Sequence, residues 1–509
     1  MAIGVLKNTY FSSINIYFEY LIGLFISILI ARALGPDEFG VYSYLVKVAG
    51  ICIILTNAGI NTGAIKFIAE ARAQGNEQHI PAIYAYFRRI QVFKTVIVTG
   101  ALTALVLFAP GLVIEDKYSD LLAFLIFAIV FKSGHMYRVG VFKGYERFDF
   151  LAFTVLIVAP LNLACVFGVL YFDPSLINFY MLFTGVAFLY WSMSGLFLKR
   201  LAVKKTAAQP ILSDALRVRI SHHLKIVSIN TVVSGLAIGQ CEILLLKYFA
   251  TNEAISFFYI AMTIAGAALL LVPGVYSSVL LPIIARSVAG IDNDPSAKIK
   301  QSTRYLFVLG VLVGVPTCYY GEGIVVLLYG EEFSQAGVIL GLFALVGIFN
   351  AYREPVNAYL LSVDKQSLML KLSVFAFFLS ISLNAVLISQ WGLFGAVTAY
   401  TSVALILTIV MVCVAYYYLK IRPEFKKLIL IALSAIVALI IASQLASFLI
   451  GILELFVGFI IFGVLYPLFL ILLNALDEKD YKVMLQLASK LGNKAQKILN
   501  ILIVNRLKL

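Results

Sequence analysis

Apolar residues in this chain come in long unbroken runs, with polar residues confined to short gaps between them. From near Ser13 to Leu473 about fourteen such runs recur at about 20 residues each, the length a helix needs to cross roughly 30 Å of hydrocarbon. Lipid satisfies no backbone hydrogen bonds, so a spanning segment is a helix or a strand of a closed barrel. These runs are too long and too uniformly apolar for tilted strands, and they predict helices. The pattern places them at Ser13–Ala33, Val41–Ala69, Gln91–Leu112, Leu121–Met136, Leu151–Phe172 and Leu176–Leu198. Further helices are expected at Ile226–Phe249, Ile255–Ile284, Tyr305–Leu328, Ala336–Leu361, Leu370–Ile388 and Leu393–Leu419, then Leu428–Leu449 and Ile450–Leu473. The first run is of spanning length and lacks a small-residue cleavage site, so it reads as a retained helix.

The gaps alternate in sign. One set holds Arg72 with Arg88 and Arg89, then Arg138 with Lys143 and Arg147, then Lys199, Arg200, Lys204, Lys205, Arg217 and Arg219. It continues with Arg286, Lys298, Lys300 and Arg304, then Lys365 and Lys371, then Lys420, Arg422, Lys426 and Lys427. The other set is mainly acidic, with Asp37 and Glu38, Glu115 and Asp116, and Glu331 and Glu332; Lys117 and Lys247 are its basic exceptions. Positive flanks resist translocation, so the basic gaps and both termini are expected on the cytoplasmic side. Residues 476–509 carry Lys482, Lys490, Lys494, Lys497, Arg506 and Lys508 among spaced apolar positions. That tail reads as an amphipathic helix on the anionic inner leaflet.

The expected architecture is an all-α polytopic membrane protein with about fourteen transmembrane helices. Residues 1–200 form an N-terminal six-helix lobe, 201–225 a basic cytoplasmic linker and 226–420 a second six-helix lobe. Two additional helices occupy 421–475, ahead of the tail. A faint repeat supports two lobes in parallel orientation. Leu34-Gly35-Pro36-Asp37-Glu38-Phe39-Gly40-Val41-Tyr42 and the segment from Phe249 to Phe258 each link two helices and precede a long one, and these end at Ala71-Arg72 and Ala285-Arg286. Such repeats are how many transporters build a central cavity.

Composition removes other classes. The chain is 62% hydrophobic and 13% charged, against about a quarter charged in a soluble domain. Its net charge of +13 does not indicate nucleic acid, because the basic residues alternate with spans; they read as topology signals and contacts for anionic headgroups. Cys52, Cys165, Cys241, Cys318 and Cys413 are too scattered for a metal motif, and none of the four histidines forms a ligand pair. No metal and no cofactor is expected.

Several motifs carry a family resemblance: Ala31-Arg32-Ala33-Leu34-Gly35-Pro36-Asp37-Glu38-Phe39-Gly40-Val41-Tyr42, Asn57-Ala58-Gly59-Ile60 with Lys66, Lys143-Gly144-Tyr145-Glu146-Arg147-Phe148, Tyr329-Gly330-Glu331-Glu332-Phe333 and Trp391-Gly392-Leu393-Phe394-Gly395-Ala396. In their order, along the whole chain, it resembles the polysaccharide, O-antigen and teichoic-acid flippases of the multidrug/oligosaccharidyl-lipid/polysaccharide exporter superfamily. One departure is Gln240-Cys241-Glu242, where the seventh helix of many relatives ends with an Asp. The resemblance implies an inner-membrane exporter that moves an isoprenoid-diphosphate-linked oligosaccharide to the outer face. Polymerases or glycosyltransferases of the same pathway are its expected partners.

An ionised group at mid-bilayer costs about 2.5–3.5 kcal/mol on insertion scales, so each one present calls for a reason. Ser12, Asn15 and Glu19 share a stripe on the first helix; Ser43, Lys47, Asn57 and Asn61 fall on roughly one face of the second. Asn350, Arg353 and Asn357 repeat that spacing on the tenth, with Glu354 beside them and Pro355 breaking the ladder. We expect these stripes to face a shared central cavity. Lys47 and Arg353 would attract the diphosphate, for which the planar guanidinium fork is well suited. Asn15, Asn57, Asn61, Asn350 and Asn357 would hydrogen-bond sugar hydroxyls, and Glu19 or Glu354 would carry a coupling proton. The competing reading makes Arg353–Glu354 and Glu19–Lys47 structural ion pairs. Glu242 and Lys247 read as snorkelling charges near the outer end. Lys66, Arg138 and Arg286 read as inner-face topology charges, with Arg138 also a candidate to meet the incoming diphosphate.

Two other functions compete. A membrane polymerase or glycosyltransferase needs catalytic groups on a sizeable outward loop, and every outward gap here is short. A small-molecule drug or ion exporter on the same fold would favour acidic mid-membrane residues over Lys47 and Arg353. With no ATP-binding motif in the chain, an ion gradient or consumption of the product is left as the driving force.

Overall fold

A computed structural model of the chain describes residues 2–109, 111, 113–201, 212–237, 240–271, 273–288, 294–477 and 480. The helices are α1 (Ala2–Asn57), α2 (Ile60–Ala73), α3 (Ile80–Phe108), α4 (Leu121–Gly144), α5 (Phe148–Phe172), α6 (Leu176–Arg200), α7 (Asp214–Leu236) and α8 (Cys241–Phe249). They continue as α9 (Asn252–Leu271), α10 (Pro273–Val288), α11 (Pro295–Tyr319), α12 (Gly321–Tyr329), α13 (Gln335–Ser362), α14 (Gln366–Leu419), α15 (Phe425–Ala446) and α16 (Ile452–Leu472). No strand occurs among the described residues. Among the described residues eleven helices are long and apolar enough to span a bilayer, twelve when the bent pair α7 and α8 counts as one. The amphipathic tail expected over 476–509 lies, beyond Asp477 and Asp480, outside the described residues.

Two of the eleven, Tyr10–Asn57 and Gln366–Tyr418, contain 48 and 53 residues. At 1.5 Å per residue each would run roughly 70–80 Å, more than twice a bilayer core. Each is divided by a glycine in a backbone conformation outside the helix, Gly35 at φ 71° and Gly392 at φ 53°. Both glycines sit where the apolar pattern breaks. Other expected helices are split. The second ends at Asn57 and resumes at Ile60 through left-handed Gly59, φ 74°. The ninth divides between Tyr319 and Gly321. The seventh becomes α7 and α8, bent by 48°. Apolar runs report burial in lipid and are blind to such local breaks.

The chain forms two compact units: residues Met1–Tyr259 with Leu370–Tyr400, and Ile260–Met369 with Thr401–Leu509. The boundary expected at 201–225 falls inside the first. In that unit α4 packs on α2, α3 and α6, and α1 on α4, α5, α7 and α8. The two segments matched as a repeat meet there: a Cβ at Gly40 would collide with the Asn252 carbonyl, and the Phe39 and Tyr259 rings lie 6.0 Å apart. In the second unit α13 packs on α10, α11 and α12, and α15 on α16. Fully buried Ala435, Ala438, Ala442 and Ala446 line one side of α15. On α11 and α13, Gly310/Gly314 and Gly337/Gly341 sit four apart, and a Cβ at Gly314 or Gly341 would come within 2.9 Å of the facing backbone. Lipid supplies no hydrophobic drive between helices, so small residues allowing close approach hold such pairs together.

Candidate functional site

Within the first unit, Glu19 of the α1 stripe lines a cavity of about 170 Å³ together with Gly23, Lys132, Asn162, Phe183 and Tyr190, among others; Ser12 and Asn15 are not in its lining. Helices α1, α4, α5 and α6 each contribute. Lys132 lies within electrostatic reach of Glu19, and its ammonium sits 4.2 Å from the Tyr190 ring centroid. The buried His135 ring packs on the other member of that contact, 5.1 Å from Tyr190. Asn15, half-buried, stands one turn from Glu19. Neither Lys132 nor Asn162 stands out in the charge pattern, because each is a single polar residue inside an apolar run. The rule that intramembrane charge defaults to function would have found Lys132.

Lys47, half-buried on α1, is coupled to Glu242 of α8 rather than to Glu19. Glu242 is not a snorkelling charge: it is 1% exposed and accepts a hydrogen bond from Asn384 Nδ2 at 3.3 Å. Asn384 also donates to the Ser380 carbonyl at 2.9 Å. A carboxylate this deep needs a cation and a donor, and the fold supplies both from distant sequence. The seventh expected helix is broken just before Glu242, which turns that residue inward.

Asn57 and Asn61 flank the α1–α2 break. Asn57 Nδ2 donates to the Ile53 carbonyl at 3.2 Å, while its buried Oδ1 has no hydrogen-bond partner among the described residues. Asn61 Nδ2 donates to the Met136 carbonyl at 3.3 Å. Lys94 Nζ donates to the Ala58 carbonyl at 2.9 Å and Ser228 Oγ donates to the same oxygen at 2.7 Å. The carbonyl freed by the break is thereby satisfied, by residues of α3 and α7 that sequence reading had not singled out.

In the second unit Arg353 Nη1 donates to Asn350 Oδ1 at 3.2 Å, joining two expected site residues of α13. Glu354 is exposed and within electrostatic reach of Arg353; Asn357 is half-buried one turn on. A second cluster surrounds Arg304, whose side chain is 6% exposed. It pairs with Glu424 at 2.7 Å, Asp477 at 2.6 Å and Asp480 at 2.8 Å, and Lys427 also pairs with Asp477. The described residues hold no group of His, Cys, Asp and Glu suited to a metal ion. The expected site residues thus divide into Asn15, Glu19, Lys47, Asn57 and Asn61 in the first unit and Asn350, Arg353, Glu354 and Asn357 in the second.

Residues 5–288 match the family described as polysaccharide biosynthesis protein. The chain belongs to that family. Across nearly its full length this family member is similar to the probable low-salt glycan biosynthesis flippase Agl15 of Haloferax volcanii, at 21% identity over 496 residues, 94% of this chain and 98% of that protein. Among solved structures it is similar to the lipid II flippase MurJ in an inward closed conformation, with a TM-score of 0.71 at 12% identity, covering 90% of this chain and 97% of that one. An inward-facing multidrug resistance MATE family transporter of the MOP superfamily matches with a TM-score of 0.59 at 14% identity, covering 79% and 96%. At these identities the structural likeness establishes the fold alone, an all-helical polytopic one shared with these proteins.

Proposed function

We propose that this protein is a flippase that carries a lipid-diphosphate-linked oligosaccharide across the cytoplasmic membrane for cell-surface polysaccharide assembly. The observation that carries this reading is the likeness to a glycan biosynthesis flippase over 94% of the chain, within a polysaccharide biosynthesis family. The cationic residues at membrane depth agree with it: Lys47 and Arg353 meet the diphosphate, and Asn15, Asn57, Asn61, Asn350 and Asn357 meet sugar hydroxyls. The sugar head crosses through polar surroundings by alternating access while the isoprenoid tail stays in lipid. In this reading the protein acts as a transporter and not an enzyme. Division at Gly35, at Gly392 and across α7 and α8 supports a count of fourteen crossings; the reading adds to it two six-helix lobes plus two helices and cytoplasmic termini. Glycosyltransferases and a polymerase of the same pathway supply and consume the cargo.

A drug exporter is the second reading, favoured by the MATE likeness. Uncompensated mid-membrane acids would suit a cationic drug, whereas Glu19 and Glu242 each have a lysine in reach. Reconstitution in vesicles separates the two. Lipid-diphosphate-linked sugar should cross and cationic dyes should not, and Lys47→Ala and Arg353→Ala should each slow crossing about tenfold or more, roughly 1.4 kcal/mol of barrier. Unchanged rates in both variants remove these assignments. Glu19 and Glu354 are the proposed proton carriers, and a rate indifferent to an imposed proton gradient removes that role.

A further inference from the structure

Outside the sites above, helices α4 and α6 carry an aromatic stripe that ends in an arginine. Phe127, Phe131 and Arg138 lie at i, i+4 and i+11 on α4, within about 40° of one another around the helix. Phe131 is 5.2 Å from Phe188 and 5.8 Å from Trp191 of α6, while Phe188 and Trp191 stack at 6.0 Å. Phe127 and Phe188 are exposed. The Arg138 guanidinium lies over Trp191 with its carbon 4.8 Å from the ring centroid. Its Nη1 donates to the Trp191 carbonyl and to Ser194 Oγ, the latter at 3.3 Å.

Two glycines make room for this arrangement. A Cβ at Gly134 would come within 2.8 Å of the Trp191 indole, and one at Gly195 within 2.9 Å of Arg138 Nη1. Arg138 is therefore held by one edge, and its Nε and Nη2 have no hydrogen-bond partner among the described residues. Exposed Arg88 of α3 lies within electrostatic reach. No carboxylate pairs with either arginine among the described residues, so two like charges lie within electrostatic reach of each other without a paired acid. Such a pair repels until an anion bridges it, and a guanidinium with a free edge binds phosphate oxygens bidentately.

We infer that this face docks the isoprenoid diphosphate of the cargo in the cytoplasmic leaflet, with the diphosphate between Arg138 and Arg88 and the methyl-branched tail along Trp191, Phe188, Phe131 and Phe127. The inference rests on the lipid-linked cargo proposed above and adds a place where that cargo waits before translocation. A diphosphate supplies the two anionic groups that two guanidiniums require. The stripe from Arg138 to Phe127 spans 11 residues, about 16 Å of helix, which gives the first isoprene units a continuous aromatic track.

The test uses the full chain in phosphatidylcholine nanodiscs and a photoreactive isoprenoid diphosphate as probe. Crosslinks should map to the α4 and α6 peptides carrying these residues, and unlabelled isoprenoid diphosphate should compete where phosphatidylglycerol does not. Arg138→Gln and Arg88→Gln should each cut labelling about tenfold, the effect of about 1.4 kcal/mol, and Phe188→Ala by less. Should Arg138→Gln not fold, as judged by its melting temperature, Arg88→Gln and Phe188→Ala carry the test. Labelling elsewhere, full labelling in folded variants, or equal competition by phosphatidylglycerol would each overturn the dock. Sugar-lipid transport in vesicles without labelling here refutes the dock alone. Labelling without any transport refutes the cargo reading instead.

Discussion

Arg304 and Arg138 occupy equivalent places in the charge pattern, each at the edge of an apolar run in a basic gap, and the fold treats them in opposite ways. Arg304 is buried and meets three carboxylates from two distant stretches of chain. Arg138 meets a carbonyl, a hydroxyl and an aromatic face, with a second arginine in range and no paired carboxylate among the described residues. A fully neutralised arginine is structural glue, whereas one left with a free edge is available to an anionic ligand. Sign and spacing identify both as topology charges, and their surroundings separate them.

The comparison breaks most easily at Arg304. Arg304→Ala strands the buried Asp480 with Glu424 and Asp477, and uncompensated buried charge costs about 3–5 kcal/mol. It should collapse the yield of folded protein and the melting temperature in detergent; near-wild-type melting would show the cluster to be dispensable. Arg138→Ala should cost less, about 1–2 kcal/mol, since it removes hydrogen bonds to α6 without leaving a carboxylate alone. Equal destabilisation of the two variants would erase the contrast.

The smallest effect is expected at a partly exposed ion pair between the segment before α4 and the end of α8. Lys247 donates to Glu115 at 2.9 Å and holds that carboxyl down at about 2, below its unfolded value near 4.3. A depressed carboxylate stabilises fully above the unfolded value, and that stabilisation is lost as pH falls from about 4 towards 2. Glu115 is 43% exposed, so solvent screening limits the effect to about 0.2–1 kcal/mol. Lys247→Ala should flatten this part of the stability–pH curve, measured by thermal melts in detergent. An unchanged slope would leave Glu115 without a role.

Much of the candidate site was legible and some was not, for a physical reason. Lys47, Arg353 and Asn350 stood out because ionisable and amide groups are costly in lipid, and the Arg353–Asn350 hydrogen bond joins neighbours one turn apart. Lys132 and Asn384 passed unnoticed because a single polar residue in an apolar run has meaning only beside its partner. Those partners, Glu19 and Glu242, lie more than 100 residues away. Glu242 itself was misplaced because charge near the end of an apolar run looks as though it reaches water; a helix break turned it inward.

The one-dimensional pattern determined that this is a helical, polytopic membrane protein, and roughly where its segments begin and end, because lipid imposes one length and one hydrogen-bonding solution on every crossing. The gaps it leaves between apolar runs are where Gly35 and Gly392 divide the two longest helices. Only the tertiary structure decided which charges neutralise one another and which keep a free edge. Pairing depends on distance through space across α1, α4, α6, α8 and α14, and the spacing of residues along a single helix holds no record of what its neighbours bring.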